Sequence, residues 1–566
     1  MSFRSTLQSD LRRSSLSGRT VMAWAALVSL VTCSGLGLSR VAHAQTPNPS
    51  SVRVVVNSNL DGKIRADEAL TLREAIALTN GTLNKADLSA AEQAQITPSL
   101  EHSRIEFDLP SDQTTIRLRA LLPTILQPGL VVDGTSQTGY VADKGSVPAP
   151  VVALTAAEDV EVFRGLTIAA DQVQVKGLSF YGFTAQHQTT ATTPPADIFI
   201  AHRLVPEKHR EEDNPEVTYP YEDEQDIPPQ GVVIEANWLG LSPEGMDVQA
   251  PRSAFGVSIY NAVGTRILNN RIANHDSSAV ITSVRAEQTE IANNMIAGNG
   301  VAGMPDAIRL EGRIAGSQIR ANQITNNAGS GIYLYRPEGA IQIKDNQIVG
   351  NGQRFRRAAV VLMGDDHQVI GNTIQDQPGP GVLVTAYPTS NRNIIQENQF
   401  ANLKGLSIDL IARDNRFLDR FSRLSINSVD LAARSSTRVQ DYQIGDGPNP
   451  PRNSDQRQRD TANRGINTPQ FFSSVFYWMD GQVHLDGKAD PGAEVVLYQV
   501  LEQGDLQGPL SKPMMSVTAD EEGRFTATLT DVQPGDQFSA IATHPDYGTS
   551  EPALNVEIQL LDVSAE

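Results

Sequence analysis

One short phrase, Asn-x-apolar, recurs along the middle of this chain and constrains its fold more than any other feature. It reads Asn237-Trp238-Leu239, Asn270-Arg271-Ile272, Asn294-Met295-Ile296, Asn322-Gln323-Ile324, Asn346-Gln347-Ile348, Asn372-Thr373-Ile374 and Asn398-Gln399-Phe400. After a first gap of 33 residues the spacings are 24, 28, 24, 26 and 26. A period in this range marks a solenoid, in which each unit stacks on the last and none can bury its apolar face alone. Each unit holds a short alternating stretch before the Asn, such as Gln318-Ile319-Arg320 or Gln342-Ile343-Lys344. A second strand-like stretch follows, such as Gly331-Ile332-Tyr333-Leu334 or Gly381-Val382-Leu383-Val384. Period-two alternation broken every few residues by Gly or Asn excludes a helical repeat, which needs amphipathic runs of about ten residues.

Three short strands and three turns in some 24 residues make one coil of a parallel β-helix, with successive coils roughly 4.8 Å apart. The recurrent Asn then falls at the same bend of every coil and points inward, each amide bonding to backbone and to the Asn above and below. Asn237, Asn270, Asn294, Asn322, Asn346, Asn372 and Asn398 are therefore assigned to a structural ladder. An unpaired polar group in such a place would cost about 1–3 kcal/mol.

Asn-x-Ile followed by Gly-x-Ile at this spacing resembles the right-handed parallel β-helix repeat family. The segments Arg104-Ile105-Glu106-Phe107-Asp108, Leu122-Pro123-Thr124-Ile125, Val132-Asp133-Gly134-Thr135 and Val175-Lys176-Gly177-Leu178 resemble the opening coils of its exported bacterial members. Leu70-Thr71-Leu72-Arg73-Glu74-Ala75-Ile76 resembles the Cys-Ser-Leu-Arg-Glu-Ala segment at the start of many of them, with Leu70 in place of Cys. Thr71 and Glu74 also form a capping box, and Leu72, Ala75, Ile76 and Leu78 give a helix one apolar face. That helix is expected to lid the open end of the solenoid, where strand edges and core would otherwise meet water. The resemblance spans residues 52–410 and speaks to fold, because one scaffold carries many activities.

The first 44 residues read as a secretory signal peptide: Arg4, Arg12, Arg13 and Arg19, an apolar run over 21–38, then Ala42-His43-Ala44 before Gln45. Cleavage after Ala44 removes five Arg and one Asp, taking the formal charge from −19 to −23, and removes Cys33, the chain's one cysteine. The mature protein is expected to be periplasmic, cell-surface or secreted, with no membrane span, and to be held by packing and hydrogen bonds alone. Its acidity excludes nucleic acid as a partner, because the surface repels phosphate.

Two further segments interrupt the pattern. An insertion at 189–229, with nine acids between Glu207 and Asp226, is expected to bulge from a coil turn as a mobile acidic loop. After Asp409 the repeat dissolves through 413–438, and 445–469 is rich in Pro, Asn, Asp and Arg and reads as a linker. Asp446, Asn449, Asn453, Asp455 and Asp460 offer oxygen ligands there, so calcium is the one ion to consider, although their spacing fits no EF-hand loop. From residue 470 onward, clean alternation in Gln482-Val483-His484-Leu485, the stretch 493–498 and the stretch 523–529 predicts an antiparallel β-sandwich. Gly487-Lys488-Ala489-Asp490-Pro491-Gly492-Ala493 resembles the bacterial immunoglobulin-like modules of surface proteins, which implies a spacer or an attachment end.

Stacking places outward side chains of successive coils in rows. Arg309, Glu311, Tyr333, Tyr335 and Arg336 fall on one such face, and aromatics, Arg and acids along a groove suit oligosaccharide binding. The other candidate is Gly364-Asp365-Asp366-His367, where paired carboxylates would serve hydrolysis or hold a calcium for lyase chemistry. It resembles the Gly-Asp-Asp step of polygalacturonases, but that family's other motifs are absent from suitable coils, and adjacent Asp residues are ordinary in turns. The expectation is an all-β chain divided into a signal peptide (1–44), an N-terminal strand and capping helix (45–100), a right-handed parallel β-helix (101–410), a degenerate coil and linker (411–469) and an immunoglobulin-like β-sandwich (470–566). The expected function is a polysaccharide or cell-surface glycan binder or structural protein without catalysis or cofactor. A lyase or glycoside hydrolase acting through Asp365 and Asp366 on acidic polysaccharide, and an adhesin or surface-layer component, are the alternatives.

Overall fold

The computed structural model describes residues 51–142, 147–185, 194–203, 226–245, 251–386, 389–412, 445–455, 461–502 and 504–561. The expected signal peptide with its cleavage site, most of the acidic insertion, the stretch 413–438 and Asp460 lie outside them.

Three sheets of stacked strands run through the described residues. The first has twelve strands, from Ile96–Pro98 and Val52–Val56 at one end to Ile394–Gln396 at the other. The second has ten, from Thr115–Leu118 to Gln399–Leu403, and the third nine, from Arg164–Ile168 to Ile408–Leu410. From Arg164 onward each coil contributes one strand to each sheet, and neighbouring coils pair in parallel with aligned register: Ile319 lies between Ile291 and Ile343, and Ile324 between Ile296 and Ile348. The alternation seen in the sequence explains the result. Ile267, Ile291, Ile319, Ile343 and Val369 point inward from the first sheet and Ile272, Ile296, Ile324, Ile348 and Ile374 from the second, all fully buried in one continuous core. Burying each such side chain is worth about 1.5–3 kcal/mol.

The predicted ladder is present from Asn237 to Asn398. Oδ1 of Asn322 accepts both the backbone N–H and the side-chain N–H of Asn294, at 2.9 and 3.0 Å, while its own Nδ2 donates to the Ile291 carbonyl and to Oδ1 of Asn346. The same geometry repeats at Asn237, Asn270, Asn346 and Asn372. Just before each ladder position the backbone turns into the left-handed region, with φ of 53° at Asn269, 57° at Asn293, 53° at Ala321 and 58° at Glu397. That strain is tolerated because the ladder over-determines the bend.

A second ladder at the next corner is not evident from the Asn-x-Ile phrase. Five residues after Asn270, Asn294, Asn322, Asn346 and Asn372 stand His275, Asn299, Asn327, Asn351 and Gln377, all buried. Asn299 and Asn327 repeat the bonds of the first ladder. His275 begins the row, bonded to Asn299 at 2.8 Å and to the buried Asp197 carboxylate at 2.8 Å. Gly240 and Gly256 line its ring: a Cβ on Gly240 would lie 2.7 Å from the imidazole.

Both ends of the solenoid are closed. At the N-terminal end the expected helix forms over Leu72–Thr79 with the Thr71–Glu74 capping box, burying Leu72, Ala75 and Ile76, while Leu78 packs at the margin. Antiparallel pairing of Ile96–Pro98 with Val52–Val56 finishes the edge of the first sheet. At the other end sits the C-terminal module. It has a three-stranded antiparallel sheet and a larger sheet, antiparallel except where Val475–Trp478 pairs in parallel with Val556–Leu560. The expected small antiparallel β module is present, with that one parallel pair inside it.

This module is joined to the last coils by backbone bonds rather than hung on a spacer. The Arg392 N–H donates to the Tyr547 carbonyl at 2.8 Å, that of Thr549 to the Asn393 carbonyl at 2.9 Å and that of Phe400 to the Leu510 carbonyl at 3.0 Å. The described parts of 445–469 belong to the junction as well. Asn449 donates to Glu551 through its backbone at 2.8 Å and its side chain at 2.6 Å, and Gly447 donates to Asp409 at 3.2 Å. A free linker is thus replaced, over these residues, by a bonded strap.

Candidate functional site

The third sheet builds the candidate face. Ile308 and Leu310, Ile332 and Leu334, Val360 and Leu362 point inward and are buried, so the residues between them point out. Arg309 and Tyr333 are paired in register, and Glu311 and Tyr335 follow one position beyond the inward Leu. The structure brings all five predicted residues together. The Arg309 guanidinium lies 4.9 Å from the Tyr333 ring centre and 4.6 Å from that of Tyr335, and Arg336 lies 5.7 Å from the Tyr335 ring. The two tyrosine rings are 5.9 Å apart and tilted by 41°.

Two residues unremarked in the sequence complete the cluster. Asp306, fully buried, pairs with Arg309 at 3.6 Å and with Arg357 at 2.8 Å, and Glu311 holds Arg309 from the other side. Burial opposes the charge on Arg309, but Glu311, Tyr333 and Asp306 outweigh it and its pKa is raised, so it stays a cation. Burial pushes the Tyr333 phenol up to about 12. The signal for Asp306 was its place three residues before Arg309, on the approach to the same strand.

The face is less open than a solvated groove. Tyr333, Val361, Leu383 and Ile411 are buried in a separate apolar cluster outside the core, with Tyr335 and Met363 at its margin. What reaches solvent is the Tyr335 edge, with Arg336 and Glu338 beside it on the turn.

Asp365 and Asp366 sit at the corner between the third and first sheets. Asp366 has φ of 66° and is the non-glycine residue of that turn in the left-handed region, beside Gly364 at 99°. Arg392 of the next coil binds both carboxylates, Asp366 at 2.7 Å through two nitrogens and Asp365 at 3.2 Å, and the Asn391 N–H donates to Asp365 at 2.7 Å. The Arg392 hydrogen bond holds the Asp366 carboxyl below its usual range. A general acid needs the opposite shift. His367 points inward, buried; its Nε2 donates to the Met363 carbonyl at 2.9 Å and its Nδ1 accepts from the Ile341 N–H at 3.3 Å. Burial lowers its pKa and keeps the ring neutral. His367 and Asn393 form a third corner ladder, so this tetrapeptide is a coil bend. Among the described residues no group of three or more His, Cys, Asp or Glu side chains is arranged to hold a metal ion, and no helix is long and apolar enough to cross a membrane.

The family described as "Right handed beta helix region" matches residues 245–374 and 319–441. No curated protein matches the chain. Among solved structures it is similar to PfbA, a surface adhesin of Streptococcus pneumoniae, at 14% identity and a TM-score of 0.31, over 56% of this chain and 81% of that one. It is similar to the periplasmic alginate epimerase AlgG at 13% identity and a TM-score of 0.37, over 63% and 72%. It is also similar to DFA-IIIase from Arthrobacter chlorophenolicus A6 at 12% identity and a TM-score of 0.31, over 67% and 76%. At these identities the likeness is one of fold. With three sheets of stacked, almost wholly parallel strands and inward ladders at their corners, the fold is a right-handed parallel β-helix, followed by a second β module at its C-terminal end.

Proposed function

We propose that this protein is exported and binds glycan without cleaving it, through the outer face of the third sheet. The observation that carries the reading is the Arg309–Tyr333–Tyr335 stack, braced by Asp306 and Glu311 and opening to solvent at Tyr335 and Arg336. A ring held rigid by neighbouring guanidinium groups offers a sugar an apolar face at low entropic cost, and the flanking charges offer hydrogen bonds to hydroxyls. The absence of catalysis is argued from Asp365 and Asp366, whose carboxylates are occupied by Arg392. The test is to incubate the protein with polyuronides and neutral glycans, with calcium and then with chelator, measuring retention and new chain ends separately. Retention that Tyr335→Ala weakens, with no new ends, is the expected result. Release of ends that Asp365→Ala with Asp366→Ala abolishes would overturn it in favour of a lyase or hydrolase.

A further inference from the structure

A second concavity lies around the corner, on the first sheet, and belongs to none of the residues above except Asp366. Its volume is about 210 Å³, and Gly316, Gln318, Ala340, Gln342, Asp366 and Gln368 are among its lining. The coil repeat explains its shape. Two positions before the first outward residue of successive first-sheet strands stand Gln288, Gly316, Ala340, Asp366 and Arg392. The small pair in the middle, flanked by longer side chains, leaves a trough whose walls are three coil spacings apart, about 14 Å. A Cβ on Gly316 would already lie 3.6 Å from the Gln288 side chain, which marks that wall.

One side of the trough is a row of amides. Gln318, Gln342 and Gln368 are paired in register on three adjacent strands and all point outward. None of the three amides is hydrogen-bonded to another described residue, and all three residues line the trough. Each amide presents a donor and an acceptor side by side, the pattern that matches neighbouring hydroxyls. The charged group in the lining, Asp366, is neutralised by Arg392 at 2.7 Å, and a formal charge of −19 on the chain disfavours anions.

We infer that the trough formed by Gly316, Ala340 and the Gln318–Gln342–Gln368 row is a subsite for an uncharged, hydroxyl-rich carbohydrate. The inference rests on the glycan-binding reading above and gives it a second surface and a ligand class. A built-in comparison exists on the second sheet, where Gln323 and Gln347 form the same amide row, exposed, outside the trough's lining.

The test measures binding of the exported chain to xylohexaose, mannohexaose and cellohexaose, with tri-galacturonate as the anionic probe, by calorimetry. A neutral hexasaccharide is expected to bind in preference to tri-galacturonate. Gln318→Ala with Gln342→Ala, both solvent-facing, should weaken binding at least tenfold, as should Ala340→Trp, which fills the floor. Gln323→Ala with Gln347→Ala should leave it unchanged. Preference for tri-galacturonate, or undiminished binding by the Gln318, Gln342 variant, overturns the subsite. If Tyr335→Ala abolishes binding while the trough variants do not, the subsite falls and the third-sheet reading stands. If no probe binds, both fall.

Discussion

Asn463, arriving from outside the solenoid, places its Oδ1 3.1 Å from the backbone N–H of Asn393 and so takes the next rung of the third corner ladder. Its own Nδ2 donates to the Thr549 carbonyl of the C-terminal module at 2.9 Å. One side chain therefore joins the last corner of the β-helix to the module beyond it. The rung is non-local, 70 residues from Asn393, which is why no period in the sequence announces it. The module acts as the lid of the solenoid.

Removing residues 470–566 should therefore do more than shorten the protein. The last strands, Gln399–Leu403 and Ile408–Leu410, would lose Leu510 and Glu551 as partners and expose core beside Phe400 and Leu410. The truncated chain is expected to melt at lower temperature and to self-associate through the freed edge. An unchanged melting temperature in a monodisperse sample would mean the module is a spacer after all.

The junction also predicts a pH response. Glu551, buried, is pushed up to about 7, chiefly by burial, although N–H groups of Asn449 and Leu410 pull the other way. Asp409 is raised well above its usual range by burial and by the charges of Glu551 and Asp446. Folded pKa values above the unfolded ones mean stabilisation is complete below about pH 4 and is lost as pH rises through about 7. The melting temperature should fall between about pH 5 and about pH 8. Glu551→Gln should flatten that slope and gain on the wild type at the alkaline end; a slope that survives the substitution assigns the effect elsewhere.

Within the first ladder, Asn322→Ala strips four hydrogen bonds and leaves the Asn294 and Ile291 groups unpaired. A loss of about 3 kcal/mol or more follows from the usual cost of orphaned buried groups. Gln323→Ala, on the exposed side of the next residue, should cost under about 0.5 kcal/mol. Urea denaturation of the two variants separates them, and equal costs would contradict the ladder.

At the Asp365-Asp366-His367 corner, neighbours should behave oppositely. Asp365→Asn breaks part of an exposed ion pair and is expected to cost at most about 1 kcal/mol. His367→Ala removes a buried rung and opens a cavity, so it should cost several times more. Thermal melts decide it, and a catalytic role for the aspartates would appear instead as lost chain-end release with stability intact.

The parts of this protein legible from sequence are those whose physics repeats. The seven Asn-x-apolar steps, the inward Ile rows and the Thr71–Glu74 cap each follow from local spacing, and stacking forces them into line. The third-sheet cluster was half legible: coil register aligned Arg309 with Tyr333, whereas the burial of Tyr333 and the bracing by Asp306 depend on what packs outside the sheet. The second ladder was written in the chain as Gly298-Asn299, Asn326-Asn327 and Gly350-Asn351, but it changes to His275 and Gln377 at its ends, which blurs its period.

By itself, then, the sequence determined the β-helix, its period and the direction each strand residue faces, because from Asn270 onward those depend on neighbours 24 to 28 residues away. Tertiary structure alone decided that Arg392 occupies the two aspartates, that Gly316 and Ala340 open a trough, and that Asn463 and Glu551 fasten the C-terminal module as a lid. These contacts join residues at separations that no repeat encodes. Whether a carboxylate is catalytic, paired or buried is set by the side chains facing it across space.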